Sequence, residues 1–176
     1  MNLKPQDVMV ALKLCSYPAG RPAMSIVAAD LGLSPSEVHG AIKRLHRSRL
    51  LLGPEMQDKP NVLALEEFLV HGLKYAFSAD HGEVTRGVPT SYAAAPLKIE
   101  ISRGDELPPV WPWPDGDTRG IALEPLYKTA PIAALRDPVL YEFLALVDAI
   151  RDGRAREHKI AERELIKRLR PGNAKA

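Results

Sequence analysis

Residues 25–47 constrain the fold of this chain more than any other stretch, because they carry the signals of two short helices separated by a tight turn. Gly32 is suited to end the first helix, since glycine adopts the left-handed backbone at a helix C-terminus without steric penalty. Ser34 and Glu37 then match a capping box, and Pro35 fits the first helical position, where a missing N–H costs nothing. The segment therefore predicts a helix, a turn and a second helix.

Each of these two helices has an apolar side. The first is expected to start at Ser25, whose hydroxyl can accept a bond from a free N–H of the first turn. Its apolar side consists of Ile26, Val27, Ala28 and Leu31. In the second helix, over residues 35–48, the spacing i, i+3, i+4, i+7 predicts an inward face formed by Val38, Ala41, Ile42 and Leu45.

The outward face of the second helix is polar at its start and basic at its end. It consists of Ser36, His39, Gly40, Lys43, Arg44 and Arg47. Between Ser34 and Gly53 the chain has four bases and one acid, a local net charge of +3. Such a face suits a helix whose first turns meet DNA base edges and whose later turns meet phosphate.

The pattern resembles the helix-turn-helix of bacterial winged-helix transcriptional regulators, MarR-like ones in particular. The similarity is a small residue four before the turn glycine and an apolar residue six after it, within the set Ala28, Gly32, Leu33, Ser34, Val38, Ile42 and Leu45. The motif covers about an eighth of the chain. The resemblance implies a sequence-specific DNA-binding regulator, acting as a homodimeric repressor whose second helix lies in the major groove of double-stranded DNA.

Nine residues are the expected DNA contacts. Ser36, His39 and Lys43 would read base edges, while Arg44, Arg47 and Arg49 would hold phosphates and set the register. The full expected set is Ser34, Ser36, His39, Gly40, Lys43, Arg44, Arg47, Arg49 and Lys59. Two-fold symmetry would then imply an inverted-repeat operator.

The flanks of the motif fit a first domain over residues 1–77. A preceding helix is predicted over residues 5–15, and the run RLLL with the Gly-Pro loop after it suggests a wing. The wing tip has Glu55 and Asp58 against Lys59, so it is not a strongly basic arm.

A further helix is expected over residues 62–77. Its interior Gly72 is explained either by close packing against another helix, across a dimer interface for example, or by simple tolerance.

The net charge of +2 is unevenly distributed along the 176 residues. Residues 1–60 carry a net +3, residues 61–137 a net −4 and residues 138–176 a net +3. The acidic middle should stay away from DNA, whereas either end could approach DNA or an acidic partner.

The middle segment, residues 78–136, is predicted to be an irregular strap rich in proline, with short strands at LKIEI (97–101) and GIAL (120–123). Its tryptophans argue against disorder, so Trp111 or Trp113 should pack on the helical body. Together with Tyr92 and Arg86 they could instead line an anion or aromatic pocket, although a structural role is favoured.

The C-terminal segment, residues 137–170, is predicted to be a helical pair. Asp137 caps the first helix, Pro138 starts it and Gly153 ends it, and a second amphipathic helix follows over residues 154–169. The pair is a candidate dimer interface, or a hairpin that packs only on its own chain. The fold class expected for the whole chain is mainly α (α+β).

An alternative function is an antitoxin-like or other protein-interaction module, which would bind a toxin-like or other partner protein through residues 78–170. No catalytic residue, metal or cofactor is expected, and the motif DHGE (80–83) is only a weak candidate for one. Because the chain has neither a secretory signal nor a run of about 18 apolar residues, and a single cysteine, we expect a cytoplasmic protein that does not enter membranes.

Overall fold

Helices make up most of this fold, and two small β-sheets complete it. The computed structural model describes residues 2–54 and 57–170. The helices are α1 (Pro5–Ser16), α2 (Met24–Leu31), α3 (Pro35–Arg47), α4 (Val62–Glu67), α5 (Leu73–Ala76), α6 (Ala130–Arg136), α7 (Pro138–Asp152) and α8 (Ala155–Leu169). The strands are β1 (Leu51–Leu52), β2 (Lys59–Pro60), β3 (His81–Pro89), β4 (Pro109–Pro112) and β5 (Thr118–Leu123). The predicted α+β class is confirmed, with helix predominant.

The turn between α2 and α3 has the predicted local structure. Gly32 ends α2 with a left-handed φ of 64°, and its N–H reaches back to the last turn of the helix. The Ser34 hydroxyl accepts the Glu37 N–H at 3.2 Å, while the Glu37 carboxylate accepts the Ser34 N–H at 2.8 Å. Two backbone donors that the helix itself cannot satisfy are therefore bonded by residues within one turn.

The start of α2 differs from its prediction. The helix begins at Met24, with Ala23 at the cap position and no side-chain cap bond, so Ser25 is an exposed residue inside the helix. Ile26, expected on the apolar side, is half exposed. The buried side of this short helix is formed by Val27, Ala28 and Leu31 alone.

Helix α7 is the centre of a core that runs through the whole molecule. All its residues from Phe143 to Ile150 are buried, and it packs against α1, α5, α6 and α8. The buried apolar residues of α1–α3 belong to the same continuous cluster as those of α7 and α8. The helical pair thus packs on its own chain, and the division at 77/78 and 136/137 into separate domains stays a prediction.

Helices α4 and α5 are joined by one π-helical turn, Phe68–Gly72, so they follow the single helix predicted there. A Cβ at Gly72 would lie 3.1 Å from Cδ2 of Phe68 in the same turn. The close approach at this glycine is therefore made by its own helix and not by another one.

Strands β3, β4 and β5 form a small closed sheet in which each strand pairs with the other two. Strand β3 is antiparallel to both partners, and β4 and β5 are parallel to each other. Gly87 pairs with Pro112 on one side and with Thr118 on the other. A Cβ at Gly87 would overlap the carbonyl oxygen of Trp111, so only glycine permits this crossing.

Two predictions in this region have opposite outcomes. The strand predicted at 120–123 is confirmed as part of β5, whereas the strand predicted at 97–101 is wrong. Residues Leu97–Ile99 form a 3-10 turn and pair with no strand. The apolar residues of the alternating pattern are therefore not all buried, and Ile99 is 83% exposed.

The strap is ordered, as its tryptophans predicted, because Trp111 anchors it to α7. The Trp111 ring is buried and its Nε1–H donates to Asp148 at 2.6 Å. The same carboxylate accepts bonds from Thr90 at 2.7 Å and Arg151 at 2.7 Å. Burial raises the pKa of Asp148, and these three donors favour its charged form. Trp113 is half-buried.

Candidate nucleic-acid interface

One stripe along α3 remains open to solvent while the other side of the helix is buried. Ser36, His39, Lys43 and Arg47 are all exposed, and their spacing aligns them on one helical face. The opposite side is buried in the core, as predicted, through Val38, Ala41, Ile42 and Leu45. The helix therefore presents a polar and cationic surface that residues 2–54 and 57–170 leave uncovered.

Ser34 lies at the start of this stripe but its hydroxyl is already engaged. It accepts the Glu37 N–H and donates to Glu37 Oε2 at 2.8 Å. The bonds from the Ser34 N–H and hydroxyl lower the pKa of Glu37, which keeps this carboxylate charged at the helix start. Tyr127, in the segment after β5, donates a long 3.4 Å bond to the same carboxylate. Ser34 thus has a visible structural role as a cap.

Arg44 departs from its expected role. Its residue exposure is only 8%, and its guanidinium forms a bidentate pair with Asp7 of α1, with Nε–Oδ2 at 2.7 Å and Nη2–Oδ1 at 2.6 Å. This pairing raises the pKa of Arg44. The reason is geometric: Arg44 lies at the edge of the stripe that faces α1, so the expectation that it holds phosphate is corrected.

Gly40 leaves room for the buried ion pair between Arg44 and Asp7. A Cβ at this position would lie 3.2 Å from Nη1 of Arg44, so glycine leaves space for the guanidinium beside the helix. Gly40 is half-buried, and this packing explains it without any DNA contact.

Arg49 and Lys59 extend the cationic surface beyond the end of α3. Arg49 has a left-handed φ of 58°, and its carbonyl accepts a 2.9 Å bond from the Asn61 side chain. Lys59 lies on β2, opposite Leu52 of β1 in a two-stranded hairpin. The side chains of Arg49 and Lys59 are exposed.

The hairpin is held against α3 by Asp58, which sequence reasoning had treated as an acidic tip. Its carboxylate is fully buried, 2.6 Å from Nε of Arg21 and 2.6 Å from Nε2 of His46. The charge of Asp58 is therefore compensated inside the molecule and does not oppose a polyanion. Glu55, the other acid assigned to the tip, lies outside the described residues.

The loop after β1 comes close to the exposed stripe. Gly53 and Pro54 face His39 and Lys43 across a cavity of about 330 Å³. The helix and the hairpin thus open to the same side of the molecule.

Lys43, Arg47, Arg49 and Lys59 have no ion-pair partner among residues 2–54 and 57–170. Sequence reasoning identified these four cations, but it missed Asp7 and His46, which bond Arg44 and Asp58, and it placed Asp58 at an exposed wing tip. Asp7 was visible only as an acid in the first turn of a helix, and its partner lies 37 residues away.

The motif DHGE (80–83), the weak catalytic candidate, does not form a group of side chains that could hold a metal ion. His81 begins β3 and bonds Asp152 of α7 at 2.7 Å, while Asp80 and Glu83 are exposed. Within the described part of the chain, no three His, Cys, Asp or Glu side chains are grouped so as to hold a metal ion. No described helix is long and apolar enough to cross a bilayer.

Comparison with known proteins adds no relative. No family model, no curated protein and no solved structure matches this chain.

Proposed function

We propose that this protein is a sequence-specific DNA-binding transcriptional regulator, and that α2, α3 and the β1–β2 hairpin form a winged helix-turn-helix. The observation that supports it most is the exposed stripe on α3, whose cations lack ion-pair partners among residues 2–54 and 57–170 while its other face is buried. An exposed cationic helix face matches the phosphate-lined major groove, which is about 12 Å wide and admits one α-helix.

The residues of the stripe would have different roles along the helix. Ser36, His39 and Lys43 lie on the N-terminal turns and would meet base edges. Arg47 lies at the end of α3, with Arg49 and Lys59 beyond it, and these three would contact phosphates. Arg44 is left out of the interface, because releasing it would leave the buried Asp7 carboxylate without its partner.

The proposal includes a homodimeric repressor that binds an inverted repeat, with half-sites about one helical turn apart. Helix α7 is an unsuitable interface, since its central residues are already buried by the rest of the chain.

The test is DNA binding measured by fluorescence anisotropy over a range of salt concentrations. The probe is a labelled duplex from the DNA directly upstream of the coding sequence, with an unrelated duplex for comparison. The variant is Lys43→Gln/Arg47→Gln. We expect weaker binding, a slope of log K against log [salt] that is smaller by about one because Arg47 is the phosphate contact removed, and a smaller preference for the upstream duplex because Lys43 reads base edges.

The matched control is Arg163→Gln/Lys167→Gln on α8. It removes the same two charges at the same i, i+4 spacing from the other basic helix. We expect the control to bind DNA like the unmodified protein. Equal losses in both double variants, or no binding to the upstream duplex, would overturn the proposal.

A further inference from the structure

A second concave site lies away from α3, where the three-stranded sheet meets the turn between α7 and α8. The cavity has a volume of about 460 Å³. That volume lies within the range of about 300–1,000 Å³ typical of small-molecule sites. Its wall includes Ser91, a buried residue with a left-handed φ of 53°, a backbone state that serine rarely adopts. Strained backbone of this kind is enriched at ligand sites.

One side of the cavity is apolar. Leu107, Pro109 and Ile121 line it, and Leu107 and Ile121 remain 41% and 37% exposed. Large aliphatic side chains that stay open to a concave space provide a surface for the apolar part of a ligand.

The cationic groups of the cavity are already paired. Arg103 stacks on the ring of Tyr92, 4.0 Å from its centroid, and its Nε donates to the buried Glu157 at 2.6 Å. Arg154 pairs with Glu106 at 3.0 Å, and the other oxygen of Glu157 accepts the Arg154 N–H at 2.9 Å. An anionic ligand would have to displace these carboxylates.

Asp152 has unused bonding capacity. It is the last residue of α7, and its Oδ1 lies 2.7 Å from Nε2 of His81. Its Oδ2 has no hydrogen-bond or ion-pair partner within residues 2–54 and 57–170. The C-terminus of α7 adds negative partial charge at the same place. The cavity is thus lined by three carboxylates, two guanidinium groups and the His81 imidazole, and Asp152 is the carboxylate that has no guanidinium partner among the described residues.

We propose that this cavity binds a small amphipathic organic cation, a primary ammonium on an apolar body. The ammonium group donates to Asp152 Oδ2 at the end of α7. The apolar body packs on Leu107, Pro109 and Ile121. A site of this chemistry is independent of DNA binding, so its test does not depend on the function proposed above.

The test is isothermal titration calorimetry of the full chain with three ligands of matched shape: 4-phenylbutylamine, 4-phenylbutan-1-ol and 4-phenylbutanoate. We expect the amine to bind at least about ten-fold tighter than the alcohol, because only the amine gains a charge-assisted bond. Asp152→Asn should abolish that preference, while Asp115→Asn, which removes an exposed carboxylate outside the cavity, should preserve it.

A second variant tests the apolar wall. Ile121→Ala should weaken binding of the amine by about three- to ten-fold, because it removes contact area from a side chain that is already partly exposed. A preference for the carboxylate, an amine affinity that Asp152→Asn does not change, or no binding of any of the three would overturn the proposal.

Discussion

Helices α3 and α8 lie in segments with the same net charge of +3, yet among the described residues surface acids pair with two arginines of α8 and with none of the exposed cations of α3. On α3 and the hairpin after it, Lys43, Arg47, Arg49 and Lys59 are exposed without ion-pair partners among the described residues. On α8, Arg163 pairs with Glu100, and Arg168 pairs with both Glu142 and Glu164. Arg170, just after the helix, pairs with Glu66. Other cations of α8, such as Lys167, have no ion pair among the described residues. Net charge along the sequence therefore does not reveal which individual cations are engaged in ion pairs.

The difference between the two helices arises from where the nearby acidic side chains lie in the fold. Glu66, Glu100 and Glu142 lie on the surface around α8, so its arginines reach them without losing contact with water. Near α3 the acids Asp7 and Asp58 are buried; Arg44 pairs with Asp7, Arg21 pairs with Asp58, and Nε2 of His46 lies 2.6 Å from Asp58. Within α3 itself the only acid is Glu37, which caps the helix.

The largest loss of stability is expected for the buried ion pair between Arg44 of α3 and Asp7. Arg44→Met leaves the buried Asp7 carboxylate with the Lys4 N–H but without a cation beside it, so the free energy of unfolding should fall by about 3–5 kcal/mol. Urea denaturation measures it. The DNA affinity of the folded protein should change little, because this cation is turned inward.

The control for this variant is Asp7→Leu/Arg44→Met, which replaces both charges with apolar side chains. It should recover much of the lost stability. If Arg44→Met lowers the free energy of unfolding by less than about 1 kcal/mol and also weakens DNA binding, Arg44 belongs to the DNA interface. The contrast between α3 and α8 would then fail.

A much smaller effect is expected for an ion pair on α8. Arg168 is partly exposed and lies 2.8 Å from Glu142 and 2.6 Å from Glu164. Arg168→Gln should lower the free energy of unfolding by about 0.5–1 kcal/mol, as is usual for ion pairs at the surface. Its neighbour Lys167 has no ion pair among the described residues, so Lys167→Gln should leave stability unchanged. A loss of several kcal/mol in Arg168→Gln would show that the pairs on α8 are structural in the same way as Arg44 and Asp7.

The smallest expected effect is a dependence of stability on pH through the protonation of Glu164. Burial raises the pKa of this carboxyl, but the hydrogen bond and charge of Arg168 outweigh burial, so its pKa lies below the ordinary value. The stability that this pair contributes is therefore present at neutral pH and is lost as the pH falls through the lowered pKa. Carbon-13 NMR of the carboxyl between pH 2 and 7 measures it, and Arg168→Gln should shift the titration to higher pH. An unchanged titration in that variant would mean that Arg168 does not hold Glu164.

The features that sequence predicted well are local. The capping box of Ser34 and Glu37, the left-handed Gly32 and the cap of α7 by Asp137 each depend on residues within about one helical turn. The failures involve distant partners. LKIEI alternates like a strand but has no neighbouring strand, and β3 was missed because its pairing depends on β4 and β5 across the closed sheet.

The sequence by itself determined where α3 begins and which of its faces is buried, and it predicted the exposed stripe of that helix, because helical periodicity and capping act over a few residues. Only the tertiary structure decided which of the cations predicted to point outward stay exposed. Arg44, expected on the outward face, meets Asp7 across 37 residues, and Arg170 meets Glu66 across 104. Such pairings depend on how helices pack, so net charge counted along the chain could not distinguish exposed cations such as Lys43 from paired ones such as Arg168.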